Sequence, residues 1–88
     1  MVIKINKGEY IIALSNIHPF YKNWSDEIIP KGSVGIVLSV TSERYKRYAK
    51  VKWVTRDIGE IDIRIDINEK IKIISKREYQ DRILELRL

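Results

Sequence analysis

The chain has 88 residues, 44% of them hydrophobic and 33% charged, with 17 Lys and Arg against 12 Asp and Glu for a net charge of +5. This is the composition of one folded domain with a modest core, since a chain so short buries about 60–65% of the surface its unfolded form exposes. Cysteine is absent, which excludes disulfide frameworks, thiolate metal sites and cysteine nucleophiles. No apolar run approaches the roughly 20 residues of a membrane helix, and the N-terminus lacks a signal-peptide core, so no membrane association and a cytoplasmic address are expected.

Residues 9–14 read as a first strand, with 2–5 as a short lead-in. Residues 15–31 hold Asn16, Pro19, Asn23, Ser25 and Pro30 without a clean period, which predicts a long loop. A second strand is expected over 32–40, with Val34, Ile36, Leu38 and Val40 on one apolar face and Gly35 allowing close backbone approach. A loop over 41–44 then leads to a third strand at 45–55. Its odd positions Ala49, Val51 and Trp53 point inward, while Arg44, Lys46, Tyr48, Lys50 and Lys52 point outward.

Residues 57–59 suit a three-residue hairpin loop with Gly59 in the left-handed position of a bulge. That loop places Arg56 opposite Glu60, Lys50 opposite Asp66, and Asp62 diagonal to Lys52. The fourth strand, 61–67, alternates isoleucine with polar residues throughout. A tight turn at 68–70 and a fifth strand at 71–74 follow. Ser75 and Glu78 then form a capping box, Ile74 and Tyr79 a hydrophobic staple, and Tyr79, Ile83 and Leu86 the apolar stripe of a C-terminal helix over about 76–87. Leu84 and Leu88 lie off that stripe, so the helix is either deeply packed or part of an interface.

The order of elements resembles the SH3-like barrel: five short strands, a long first loop, a central hairpin and a tight turn before the last strand. Ile29-Pro30-Lys31-Gly32-Ser33-Val34-Gly35-Ile36-Val37, followed by Ala49-Lys50-Val51-Lys52-Trp53, is similar to a turn-plus-core pattern in several SH3-like groups. These are the small SH3-like domains of phages and mobile elements, KOW-type domains and the small stromal subunit of photosystem I. The resemblance covers roughly residues 9–74 and implies a mainly β, five-stranded barrel (about 2–74) with a short C-terminal α-helix, in one domain spanning 1–88. The Ala-Leu-Tyr-Asp-Tyr stretch of peptide-binding SH3 domains is missing, which speaks against polyproline recognition.

Catalysis finds no footing. His18 is the only histidine and precedes Pro19 in the long loop, without a nucleophile in a relation that a triad needs. One histidine and no cysteine leave carboxylates alone for a metal, and none has ligand spacing, so neither metal nor cofactor is expected. Asp62 and Asp66 share a strand face, but Arg64 between them makes it a charge-balanced surface.

The positive charge is concentrated. Residues 41–56 carry six Lys and Arg against Glu43, a net of +5, whereas residues 57–70 carry two bases against five acids, a net of −3. Arg44, Tyr45, Lys46, Arg47, Tyr48, Lys50 and Lys52 therefore form the candidate nucleic-acid-binding set: cations for phosphates and tyrosines for stacking on bases. The competing explanations are lysines that discourage edge-to-edge aggregation, and counter-charge from the neighbouring strand. A second candidate is an aromatic groove of Phe20, Tyr21 and Trp24 in the long loop, suited to an extended peptide or splayed bases, or else folded back as a cap on the core. The expectation is a non-enzymatic binding module that prefers nucleic acid. The alternative is a protein-interaction module, homo-oligomer or accessory subunit of phage or mobile-element type, using the aromatic groove or the C-terminal helix.

Overall fold

The computed structural model of the chain describes residues 4–18, 28–56 and 58–87. Five strands and one helix follow one another: β1 (Tyr10–Ala13), β2 (Val34–Glu43), β3 (Lys46–Thr55), β4 (Gly59–Asp66), β5 (Ile71–Ile74) and α1 (Lys76–Arg87). They form a single sheet in the order β4-β3-β2-β1-β5, with every neighbouring pair antiparallel. The sheet is not closed, since β4 and β5 are its two edges. The architecture is therefore a mainly β, five-stranded antiparallel sheet with one C-terminal helix.

The core forms where the alternating apolar positions converge. Ala49, Val51 and Trp53 of β3 are fully buried and face Ile65, Ile63 and Ile61 of β4 in register. Ile5, Ile11, Val37, Ile67 and Ile71 belong to the same cluster, as do Ala13, Ile17 and Ile29. The inward isoleucines of β4 thus meet the inward side of β3, as the alternation requires.

β2 departs from the simple alternation. Val37 pairs with Val51 and Ser39 with Lys50, so Leu38 is an extra residue at a bulge. A bulge switches which parity faces inward. Val34 consequently packs beside Ile12, Val54 and Ile74, while Val37 and Val40 belong to the Trp53 cluster. The expected single face of Val34, Ile36, Leu38 and Val40 does not exist. The bulge is held from β1's side, where the Gly8 amide donates to the Val37 carbonyl and the Val37 amide to the Glu9 carbonyl.

The segment after β1 is pinched at its neck. Ile17 and Ile29 exchange both backbone hydrogen bonds at 2.9 Å as an isolated bridge, and both side chains are fully buried. Nearby, the Lys31 amide donates to Asn16 Oδ1 at 2.9 Å. Lone isoleucines in a polar loop are thereby explained: two of them extend the core beyond the sheet.

Helix α1 begins at its predicted cap, with the Glu78 amide donating to Ser75 Oγ at 3.1 Å. Tyr79, Ile83 and Leu86 pack on the second cluster of Ile12, Val34, Val54 and Ile74, and Tyr10 lies against Tyr79 with ring centroids 4.6 Å apart. Burial pushes the Tyr79 hydroxyl above its ordinary pKa of 10.0, assisted by Tyr10 and Glu60 and opposed by Arg87. Polar contacts fasten the helix to the β3–β4 hairpin. Arg87 donates to Glu60 Oε1 at 2.8 Å, and Arg56 donates to the Glu85 carbonyl at 3.3 Å.

Candidate nucleic-acid interface

β2 and β3 form one long hairpin. The expected loop over 41–44 is mostly strand: Thr41, Ser42 and Glu43 pair with Tyr48, Arg47 and Lys46, leaving Arg44 and Tyr45 as the turn. Arg44 has a φ of 52°, where an L-residue's Cβ costs about 1–2 kcal/mol. Tyr45 is 100% exposed. The tip therefore projects one guanidinium and one bare aromatic ring into solvent. A concavity of about 550 Å³ lies beside it, lined among the described residues by Arg44, Tyr45, Lys46 and Tyr48.

Strand pleating then sorts the remaining candidates. Lys46, Tyr48, Lys50 and Lys52 share the outer face of β3, and Arg47 lies on the opposite one. Lys46, Lys50 and Lys52 are exposed. Tyr48 differs from its expected role, being only 7% exposed, with the Arg64 guanidinium 5.5 Å from its ring centroid. Its neighbours on this face, Thr41 and Asp66, flank the ring, and Arg64 covers it. Tyr48 is thus a packed platform for a cation and not an open stacking surface.

The register between β3 and β4 also differs from expectation. The loop closes on Thr55 and Gly59, not on Arg56 and Glu60. Thr55 Oγ1 accepts from the Ile58 amide at 2.9 Å and donates to the Gly59 carbonyl at 3.3 Å, while Gly59 has the left-handed φ of 86° that the turn was expected to need. Every outer-face pairing moves accordingly: Lys50 faces Arg64, Lys52 faces Asp62, and Tyr48 faces Asp66.

Counter-charge therefore reaches the lysines unevenly. Lys52 sits 3.8 Å from Glu60, a carboxylate it shares with Arg87. Such exposed pairs contribute little, about 0–1 kcal/mol. Asp66 spends one oxygen on the Asn68 amide at 2.9 Å. Among the described side chains Lys46 and Lys50 make no ion pair. Arg64, absent from the sequence-derived set, joins this surface through its register with Lys50. Its signal was present in the alternation of β4 but required the correct pairing to be used.

Phe20, Tyr21 and Trp24 lie outside the described residues. Among the described residues no group of His, Asp or Glu has the makings of a metal site, and no helix is long and apolar enough to cross a membrane. No family model, curated protein or solved structure matches this chain.

Proposed function

We propose that the chain is a non-enzymatic nucleic-acid-binding module that uses the outer face of β3 and the tip of the β2–β3 hairpin. The observation that carries this reading is the row of Lys46, Lys50 and Lys52 on one solvent face, flanked by Arg44 and Tyr45 at its end. Lys50 and Lys52, two residues apart, are separated by about 6.6–6.8 Å along the strand, and Lys46 and Lys50 by about twice that, distances that suit phosphates of an extended single strand. Displaced counterions then drive association, and Tyr45 supplies a ring on which one base stacks.

The strand order, the long excursion between β1 and β2, and the short β4–β5 connection support an SH3-like barrel. A small barrel that carries cations and aromatics on one face is a recurrent nucleic-acid surface. A protein-interaction role draws its support from Leu84, 65% exposed on α1.

The test is retention of single- and double-stranded oligonucleotides in a mobility-shift assay across a salt series. Binding that weakens with salt and is reduced by Lys46→Glu and Lys50→Glu supports the reading. Absence of retention at low salt sinks it.

A further inference from the structure

Within this nucleic-acid reading, on which the inference rests, the lysine row ends against the helix. Lys46, Lys50 and Lys52 share the outer face of β3. Val54, next on that face, is buried because Tyr79, Ile83 and Leu86 of α1 pack on its cluster. A polar contact fixes the helix at the same end of the strand, where Arg56 donates to the Glu85 carbonyl at 3.3 Å. The last turn of α1 therefore stands at the end of the row, and Arg87 is the basic residue of that turn.

One carboxylate joins the two elements. Glu60 is opposite Val54 in the sheet, which sets its side chain on the outer face beside the helix. Its Oε2 is 3.8 Å from Lys52 Nζ, and its Oε1 accepts from Arg87 Nη2 at 2.8 Å. Two cations thus converge on one anion, and the group keeps a net charge of +1. The side chains of Lys52, Glu60 and Arg87 are 48%, 50% and 61% exposed. Water and salt weaken such pairs, and a competing anion reaches them. Neither cation's backbone has to move for an exchange. Arg87 is carried by a helix whose apolar stripe is packed, and Lys52 by a strand paired on both sides.

An oxyanion that takes the place of the Glu60 carboxylate meets an ammonium and a guanidinium, both of them established kinds of phosphate donor. It does so where the row of β3 cations runs out. We propose that Lys52 and Arg87 receive one backbone phosphate in exchange for Glu60, so that the nucleic-acid path runs from the β2–β3 tip to the last turn of α1. Glu60 is then a built-in competitor, which lowers the affinity of the site and holds the two cations in place until a phosphate arrives.

The experiment is fluorescence anisotropy with a labelled oligothymidylate across a salt series. The wild type is compared with Glu60→Gln, Arg87→Gln, the double variant and Asp81→Asn. Asp81 is exposed on α1, on another side of the helix from Arg87, and its replacement makes the same change of net charge. Glu60→Gln is expected to tighten binding several-fold and to steepen the salt slope by about one, because both cations are released to the phosphate. Arg87→Gln is expected to weaken binding and to lower the slope by about one. In the double variant most of the gain from Glu60→Gln is lost. A gain of affinity is a readout that a merely destabilised variant does not produce. If the oligonucleotide binds but Glu60→Gln gains no more than Asp81→Asn, the exchange is overturned and the broader reading stands. A gain that persists undiminished when Arg87→Gln is added overturns the path onto α1. If neither the wild type nor Glu60→Gln binds at low salt, the nucleic-acid reading fails and the exchange with it.

Discussion

Gly35 and Trp53 face each other across β2 and β3, and the space that a side chain on Gly35 would fill is taken first by the Val51 side chain and then by the edge of the indole. A Cβ built on Gly35 would lie 2.5 Å from Val51 Cγ1, 3.0 Å from the Lys52 carbonyl oxygen and 3.1 Å from Trp53 Cε3. Two of those neighbours are packed core side chains and one is backbone, so relief requires the strands to move apart. Gly35→Ala is expected to destabilise the protein by about 1–3 kcal/mol through overpacking. A lowered urea midpoint, followed by far-ultraviolet circular dichroism, checks this, and an unchanged midpoint refutes it.

Arg44 offers a separation of stability from binding. Its left-handed backbone carries a cost that glycine avoids, while glycine adds unfolded-state entropy; the two effects oppose each other within about 1 kcal/mol. Arg44→Gly should therefore leave the urea midpoint nearly unchanged or raise it slightly. Oligonucleotide affinity should fall, with a shallower salt dependence. A variant that loses stability and keeps its affinity contradicts both halves.

Two tyrosines a few residues apart on the β2–β3 hairpin should behave in opposite ways. Tyr48 is packed, and its replacement by alanine opens a cavity under Arg64 that costs about 2–4 kcal/mol. Tyr45 is bare. Tyr45→Ala should leave the unfolding curve in place and weaken single-strand binding about tenfold through lost base stacking. Parallel denaturation and binding measurements on the two variants distinguish these outcomes.

The Tyr79 hydroxyl makes stability depend on alkaline pH. Its folded-state pKa is raised above 10.0, first by burial. The folded state therefore holds this proton more tightly than the unfolded state does. The resulting contribution is fully present below the unfolded pKa and is lost as pH rises from about 10 through the folded value. Tyr79→Phe removes the proton. The stability difference between wild type and Tyr79→Phe should stay constant from about pH 7 to pH 9 and shift against the wild type by about pH 11. Paired urea titrations at these values read it directly, and a difference that does not move with pH refutes it.

Sequence periodicity was a good guide where one residue type repeats against another. The isoleucines of β4, the inward side of β3 and the Ser75 cap of α1 all stand where alternation and capping chemistry put them. The errors share a cause. Periodicity identifies a face but not a pairing, and a register moved by one residue on each strand keeps every side chain on its face while changing every partner. The expected Lys50–Asp66 opposition thus became Lys50–Arg64 once the loop closed on Thr55 and Gly59. The bulge at Leu38 carries no compositional mark, because Ile36, Val37 and Leu38 are all apolar and suit either face. The position of Tyr48 on the outer face was legible as well, and its burial was not, because the neighbours that cover it come together only in the folded sheet.

The Ile17–Ile29 bridge has a consequence for what this fold tolerates. Because the chain leaves and re-enters the sheet through one hydrogen-bonded clasp, the entropy of closing residues 18–28 is compensated at the clasp itself and grows only slowly with added length. Foreign peptides grafted between those isoleucines should have their ends held at the fixed separation that the clasp sets.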